Sequence, residues 1–301
     1  MRYWLIQFAL MLVAAPLLPG IINKVKAFFA GRKGPSVFQL YYDMAKLVRK
    51  ECVISHTSGG VLAIAPCISL AAILAAGCFL PHGTAVSPMA FAGDAVLFFY
   101  LLGVSRFVTV LAALDTGSSF EGMGASREMQ FSAMVEGAVF CIVGFLAVLT
   151  RETNLSLSAA AVSPGALHTV SSLLTAGAFL VVLLAENSRL PVDDPETHLE
   201  LTMIHEAMVL DYAGPDMALI HYASSVKFWL FAAFFAMLIP GVGGTLYTIP
   251  VILLTAVFTG VLESSMARYR FLKVPQMLAG ALAVALLGLF FLVFFEGGAK
   301  L

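Results

Sequence analysis

The sequence predicts an all-α integral membrane protein that forms one polytopic unit over residues 1–301. The chain is 60% hydrophobic with a mean hydropathy of +0.94. Only 12% of its residues are charged, against roughly 25% in soluble globular proteins. Eight apolar runs reach the length of about 20 residues that a helix needs to cross a bilayer. They lack the short alternating pattern of barrel strands.

Each apolar run predicts one transmembrane helix. The first run is long enough to span and has no small-residue cleavage site, so we interpret it as a retained helix rather than a signal peptide. The predicted spans cover residues 3–23, 61–80, 91–114, 130–150, 168–188, 217–239, 249–266 and 276–296.

Lysine and arginine are unequally divided between the two sets of alternate loops. Twelve lie on one side, whereas only Arg2, Arg151 and Lys300 lie on the other. Because basic residues accumulate in cytoplasmic loops, the first side is predicted to be cytoplasmic and both termini to lie outside. We call this side the basic end.

The first long loop at the basic end contains an amphipathic pattern. VFQLYYDMAKLVRK places Phe38, Tyr41, Tyr42, Ala45 and Val48 on one helical stripe. This pattern predicts a helix lying in the membrane interface. The alternative is a helix that only covers the inner end of the bundle.

A second long loop at the basic end is acidic. Between Arg189, its one basic residue, and the sixth span it carries seven acidic residues, in a chain where charge is scarce. Leu199, Met203 and Ala207 follow at i+4 steps, which predicts a helical part. We expect this acidic loop to face water, a partner or a proton path.

Five ionisable residues fall within or at the edge of the apolar runs. Such residues usually face the bundle interior, pair with one another and mark function, because exposure to lipid is costly. All but one are predicted in the inner half, which indicates a polar cavity beneath the acidic loop. Glu263 and Glu186 could instead snorkel to the interface, and Lys227 could form a purely structural pair. The five residues are Arg106, Glu136, Glu186, Lys227 and Glu263.

Metal binding, phosphate binding and nucleic-acid binding have little support in the sequence. The four cysteines are scattered without a CxxC pair, and the histidines lack HExxH spacing, so we expect no metal site in this chain. We expect His205 to be solvent-exposed or to hydrogen-bond a partner rather than to bind a metal with His198. No phosphate-binding loop occurs, and the near-zero net charge of −1 argues against nucleic acid as a partner.

Four segments resemble, in chain order, the family of the membrane subunit 1 of respiratory complex I. AENSRLPVDDPE is similar to the family signature AETNRxPFDxPE, and GRKGPSVFQLYYDMAKLVRKE to its basic loop. The spacing from Arg127 to Glu136 matches the Gly-x-x-Arg segment and buried Glu of the family. ARYRFLKVPQML resembles its PRYRYDQLM stretch. These segments run from about residue 20 to residue 280.

The branch of this family stays open. LDTGSSFEGMGASREM is more similar to the related subunit of energy-converting membrane hydrogenases of the hydrogenase-4 and formate hydrogenlyase type. AENSR is closer to complex I, and the acidic loop is about three residues longer than in either. The alternatives are therefore a NADH–quinone oxidoreductase and a hydrogenase-related complex that lacks the hydrogenase centre.

The resemblance implies a coupling subunit without a redox centre of its own, in a bacterial or archaeal cytoplasmic membrane. Its expected partners are a hydrogenase large-subunit-like protein, small iron–sulfur subunits and antiporter-like membrane subunits. The nickel–iron centre and iron–sulfur clusters are expected in those partners, and quinone only in the complex I alternative.

The predicted site residues fall into three groups. The proton relay comprises Glu136, Glu186, Asp193, Glu196, Glu200, Lys227 and Glu263. Charge pairing of the acidic loop is assigned to Arg189, Arg127 and Asp211. Partner contact is assigned to Arg32, Lys33 and Asp43.

Two other classes of function compete with this interpretation. A free-standing secondary transporter favours inverted repeats and broken midplane helices, but we find no convincing internal repeat. A passive anchor for a peripheral enzyme needs no buried Glu136.

Overall fold

The computed structural model describes residues 2–53, 58–81, 86–162, 169–193, 203–240 and 245–296. Within these ranges the chain is helical and has no β-strand, as the fold class predicts. A 3₁₀ turn, Phe271–Lys273, precedes α12, and a π-helical turn, Leu292–Glu296, follows it. The α-helices are α1 (Arg2–Ala14), α2 (Leu17–Phe29), α3 (Gln39–Leu47), α4 (Gly60–Phe79), α5 (Asp94–Asp115), α6 (Ser119–Thr150), α7 (Leu155–Ala161), α8 (Thr169–Glu186), α9 (His205–Met208), α10 (Gly214–Leu238), α11 (Thr245–Ser265) and α12 (Val274–Phe291).

Seven helices in the described ranges are long and apolar enough to cross a membrane. They are α4, α5, α6, α8, α10, α11 and α12. The helices α1 and α2 meet the same criterion only as a pair, and their axes differ by 48°. The count of eight spans depends on this bent pair crossing as one unit and stays a prediction.

The first predicted span, 3–23, is wrong as a single straight helix. α1 ends at Ala14 and α2 continues to Phe29, with Pro16 at the break. Proline has no N–H to donate to the carbonyl four residues earlier, and its ring clashes with that carbonyl. A hydropathy profile does not show this break, because the residues on both sides of it are apolar.

The fourth predicted span, 130–150, is too short. α6 begins at Ser119, so the segment that contains Arg127 is helical rather than an inner loop. Its 32 residues form a helix of about 48 Å, which exceeds the roughly 30 Å of the hydrocarbon core. Packing explains the extension: a Cβ at Gly124 would lie 2.9 Å from the Ala207 Cβ and from the Ile204 oxygen. Glycine therefore lets α9 and the residue before it approach this end of α6.

The first loop forms a helix, α3, where the amphipathic pattern predicts one. Tyr41, on the predicted stripe, is half-buried against the bundle. In contrast, Phe38, Tyr42 and Val48 are 56%, 65% and 62% exposed. These apolar side chains leave a surface for lipid or protein, and the interfacial position of α3 stays a prediction.

A phenylalanine cluster between α5, α8 and α10 forms the centre of the core. Phe98 and Phe179 are fully buried. Phe179 stacks on Phe231 with ring centroids 5.7 Å apart, and Phe98 stacks on Phe234 at 5.9 Å. Burial of these rings holds α10 inside the bundle. Lys227 lies one turn before Phe231 and is carried into the interior with it.

Contacts between the described connecting residues alternate between two ends of the bundle. At the basic end, Arg268 pairs with Asp193 at 3.1 Å and the Tyr269 N–H donates to the Pro191 carbonyl at 3.1 Å. At the other end, the Leu155 N–H donates to Asp94 at 2.7 Å. This alternation agrees with the predicted topology, and the side of the cell that each end faces stays a prediction.

Candidate functional site

Four charged side chains from four helices meet inside the bundle. Arg106 of α5 donates to Glu186 at the end of α8, and also to Glu136 of α6 at 2.6 Å. Lys227 of α10 donates to the second oxygen of Glu186 at 2.9 Å and to the Glu186 carbonyl at 2.7 Å. Glu186 therefore has a separate cation on each carboxylate oxygen.

Three of these side chains are largely withdrawn from the surface. Arg106, Glu186 and Lys227 are 9%, 8% and 14% exposed. A buried charge is tolerated when it is paired and hydrogen-bonded, and these three satisfy one another. Glu128 of α6 lines two of the cavities that Glu186 also lines. We call Arg106, Glu128, Glu136, Glu186 and Lys227 the central cluster.

The central cluster has three carboxylates and two cations. The surplus negative charge can be neutralised by one proton. Because the carboxylates interact through shared cations, a proton bound at one of them changes the proton affinity of the others. The cluster has the composition that a proton relay needs.

Two cavities meet at the central cluster. The central cavity, of ≈ 60 Å³, is lined by Arg106, Glu128, Glu186 and Lys227. The lateral cavity, of ≈ 120 Å³, shares Arg106 and Glu186 with it and reaches Glu136. One water needs about 10–15 Å³ measured in this way, so both cavities have room for several waters.

A third cavity lies beneath the acidic loop. This inner cavity, of ≈ 250 Å³, is lined by Asp193, Glu206 and His221 among others. The three cavities form a series that leads from the acidic loop to Glu136. The inner and central cavities share Asn187, Ser188, His205 and Ser224.

His205 lies at the junction of the inner and central cavities. It is half-buried, so the expectation of a solvent-exposed side chain is wrong. Burial lowers its pKa from 6.5 to about 4, and Lys227 and His221 act in the same direction. His205 is therefore a neutral hydrogen-bonding group near pH 7.

The neutral state of His205 predicts a pH dependence of stability. As the pH falls from about 6.5 to about 4, the unfolded chain binds a proton that folded His205 does not yet accept. Stability is therefore lost over this window and unaffected above it. We expect the midpoint of thermal unfolding of the purified complex to fall more steeply from pH 7 to pH 5 than in the His205→Gln variant. Equal slopes for the two proteins would contradict the prediction.

A second buried ion cluster lies at the basic end, apart from the first. Glu263 of α11 has a side chain that is 0% exposed and pairs with Lys26 of α2 at 3.1 Å. Its other oxygen faces Arg189 at 3.4 Å. This cluster joins α2, α11 and the start of the acidic loop. We call it the basic-end clamp.

Comparison with known proteins identifies the family. A family model described as NADH dehydrogenase matches residues 2–294. The chain belongs to this family. Its fold is similar to a chain of the membrane-bound sulfane sulfur reductase, an archaeal respiratory membrane complex, with a TM-score of 0.81, 20% identity, and coverage of 95% of this chain and 97% of that one.

Curated relatives within the NADH dehydrogenase family cover most of the chain. Hydrogenase-4 component C of Escherichia coli (strain K12) is 30% identical, over 90% of this chain and 89% of the relative. Formate hydrogenlyase subunit 4 of the same organism is 31% identical, over 91% and 92%. A subunit of the NADH-quinone oxidoreductase of Anaplasma phagocytophilum (strain HZ) is 29% identical, over 76% and 73%. The resemblance inferred from the motifs is confirmed.

In this family member, Glu136 differs from the expectation of a buried carboxylate. Its side chain is 56% exposed in the isolated chain. It projects from a side of α6 on which Phe140, one turn further, is 59% exposed. Arg106 reaches it from α5, so the residue belongs to the central cluster but lies at its surface.

The residues predicted to pair charges in the acidic loop make other contacts. Arg189 pairs with Glu263 of α11 rather than with a described acid of the loop. Arg127 donates to the Met203 carbonyl at 3.1 Å and lies over the Phe271 ring. The Asp211 N–H donates to Glu121 at 3.1 Å. In the described part of the loop, the backbone at Met203 and Asp211 and the side chain of Arg189 attach it to the neighbouring helices.

Asp193 lines the inner cavity and also forms two structural contacts through its carboxylate. One carboxylate oxygen pairs with Arg268, and the other accepts the His205 N–H at 3.1 Å. Its side chain is 3% exposed. The predicted relay residues Glu196 and Glu200 lie outside the described residues, as does Leu199 of the expected loop helix.

The three residues assigned to partner contact lie on the surface. Arg32, Lys33 and Asp43 are exposed. Asp43 accepts a hydrogen bond from Gln39 at 2.9 Å, and Lys24 donates to the Lys33 carbonyl at 2.8 Å. Their role towards a partner stays a prediction.

Sequence reasoning missed Glu128 and underrated Arg106. Glu128 lies two residues before the apolar run, so a search limited to that run passes over it. Extending the helix back through Gly124 would have placed it in α6. Arg106 is the one ionisable residue predicted nearer the middle of the membrane and is absent from the predicted relay, whereas its long side chain reaches both Glu136 and Glu186.

Proposed function

We propose that this chain is the membrane-embedded coupling subunit of a group 4 energy-converting hydrogenase-type complex. In this role it links a peripheral redox arm to ion translocation through its buried carboxylates. One observation carries the proposal: Glu186 binds Arg106 and Lys227 where the central and lateral cavities meet. A passive anchor does not need a carboxylate held between two cations inside its bundle.

The series of cavities supports a proton path. Protons enter the inner cavity beneath the acidic loop, where Asp193 and Glu206 supply carboxylates. They pass His205 into the central cavity and reach Glu186 and Glu128. A proton that binds Glu186 weakens the ion pair of Glu186 with Arg106, so the guanidinium binds Glu136 more strongly and displaces a proton held by Glu136. One proton taken up from the loop side is thereby matched by one proton released at the lateral surface.

The exposure of Glu136 supports a neighbouring membrane subunit on that face. A carboxylate that meets lipid costs several kcal/mol, yet the Glu136 side chain is 56% exposed. An antiporter-like membrane subunit that covers the lateral cavity removes this cost and receives the proton. The path then continues in the partner.

The hydrogenase branch is favoured by the relatives. The two that are 30% and 31% identical belong to hydrogenase-4 and formate hydrogenlyase. In this branch the nickel–iron centre and iron–sulfur clusters reside in partner subunits that contact the basic end through Arg32, Lys33 and Asp43. Glu196 and Glu200 extend the relay into the acidic loop. The basic end faces the cytoplasm of a bacterium or archaeon.

The quinone-chamber subunit of a NADH–quinone oxidoreductase is the second candidate, because one relative from such a complex is 29% identical over 76% of the chain. Purification of the intact complex, with its partners identified, separates the two branches. Hydrogen evolution supports the first candidate, and quinone reduction driven by NADH supports the second.

Replacement of the relay carboxylates tests the coupling role in either branch. We expect Glu186→Gln and Glu136→Gln to abolish proton-coupled turnover while leaving assembly intact, because glutamine keeps the shape but cannot carry the proton. Ion uptake into vesicles that contain the purified complex measures this. Glu152→Gln, at an exposed acid of the opposite end, is the matched control. Normal translocation in both variants, with assembly verified, would refute the relay.

A further inference from the structure

A carbonyl that proline leaves without its helical donor is capped by a tyrosine. Pro66, inside α4, has no N–H to donate to the Leu62 carbonyl. The Tyr212 hydroxyl donates to this carbonyl at 3.0 Å. Leu62 is 2% exposed and Tyr212 is 9% exposed. An unpaired carbonyl in such a place is costly, so the tyrosine replaces the bond that the proline removes.

The same arrangement occurs at the break between α1 and α2. Pro16 leaves the Leu12 carbonyl without its i+4 donor, and the Tyr222 hydroxyl donates to that carbonyl at 3.0 Å. The neighbouring Val13 carbonyl accepts the Tyr41 hydroxyl of α3. The α1 side of the break is thereby attached to two other helices, α10 and α3.

The Tyr212 hydrogen bond joins the residues before α10 to α4, and the Tyr222 hydrogen bond joins α10 to the end of α1 at the Pro16 break. Tyr212 precedes α10 and lines the central cavity together with Pro66. Tyr222 lies within α10, and beyond the break that it caps, α2 supplies Pro19 and Asn23 to the inner cavity. The helix α10 also places Lys227 in the central cluster. The relative positions of α1, α4 and α10, and through α1 the point at which α2 begins, therefore depend on these two hydrogen bonds.

We propose that Tyr212 and Tyr222 are positioning residues for ion translocation, which they serve by capping the carbonyls that Pro66 and Pro16 leave open. This inference rests on the proposed coupling function. Burial raises the pKa of the Tyr212 phenol above its ordinary value of 10.0. Its proton is already donated to a backbone carbonyl, so Tyr212 holds the wall of the path and is not a member of the relay.

A double-mutant cycle tests the proposal on the pair at α4. We expect Tyr212→Phe to lower ion translocation by the intact complex roughly 5- to 10-fold, the effect of one uncompensated buried carbonyl. Pro66→Ala alone should stay near the wild type. The double variant should recover, because the amide restored at position 66 donates to the Leu62 carbonyl. Tyr3→Phe, where the side chain is 79% exposed, controls for loss of a hydroxyl.

Every outcome of this cycle either supports or overturns the proposal. If Tyr212→Phe matches the wild type, or if the double variant is as impaired as Tyr212→Phe alone, the proposal is overturned. If Tyr212→Phe does not assemble, recovery of assembly by Pro66→Ala supports it, and absence of recovery refutes it. The pair Tyr222→Phe and Pro16→Ala provides an independent second cycle.

Failure of the coupling function is distinguishable from failure of this inference. Normal translocation by Glu186→Gln would refute the proposed coupling function, whatever result the tyrosine variants give. The midpoint of thermal unfolding then still reports whether proline replacement rescues the loss of the hydroxyl. Rescue of stability without any change in translocation would reduce both tyrosines to a purely structural role and overturn the positioning claim.

Discussion

The Arg106→Met variant is expected to lose ion translocation and to destabilise the membrane part of the complex. Arg106 is the cation shared by Glu186 and Glu136. Without it, Lys227 alone faces the carboxylates of the central cluster. Removing one partner of a buried pair costs about 3–5 kcal/mol, because the other charge is left without compensation. Translocation into vesicles and the thermal midpoint of the purified complex measure the two effects.

Two control variants give this prediction its specificity. Arg106→Lys keeps the charge but cannot bridge two carboxylates with two nitrogens, so we expect partial loss. Arg151→Met removes a cation from an exposed position at the opposite end and should leave both measurements unchanged. Normal translocation by Arg106→Met, in a complex of normal composition, would remove Arg106 from the path.

The Glu263→Ala variant is expected to have the second-largest effect, on stability and docking of the peripheral arm. Its carboxylate is 0% exposed and lies between Lys26 and Arg189. The substitution leaves two cations without that carboxylate, at a cost of about 3–5 kcal/mol. Since Arg189 begins the acidic loop, we expect peripheral subunits to dissociate more readily. Subunit stoichiometry after size-exclusion chromatography is the measurement.

A charge-compensated variant separates a clamp from a relay. Combining Lys26→Met with Glu263→Gln removes one cation together with the acid, so a clamp predicts partial recovery of the thermal midpoint relative to Glu263→Gln alone. A relay instead predicts full assembly with abolished translocation in Glu263→Gln itself. That result would return Glu263 to the proton path from which the structure sets it apart.

The helices were predictable because hydropathy is a local property. Spans such as 61–80 and 217–239 agree within about three residues with α4 and α10. The errors occur where a helix depends on something other than apolar length. Pro16 breaks the first span within an apolar run, and the packing of Gly124 against Ala207 extends α6 into a polar segment.

The sequence predicted which residues belong to the site better than it predicted which of them pair with one another. Glu136, Glu186 and Lys227 were all selected because ionisable residues in apolar runs are costly. Arg106, the shared partner of the two glutamates, is predicted nearer the middle of the membrane, but its long side chain reaches both of them. Glu263 was selected by the same criterion, yet it belongs to the basic-end clamp. Distance along a span does not reveal which neighbours a side chain meets.

Composition, periodicity and ordered motifs are properties of the chain alone, and they were enough to predict a membrane environment, the helical class, the alternation of the loops and the family. The packed helices were needed to show that Glu186 lies between Arg106 and Lys227, that Glu136 reaches the surface, and that Arg189 binds Glu263. Such pairs depend on the rotation and adjacency of helices, which packing determines only when all of them are assembled.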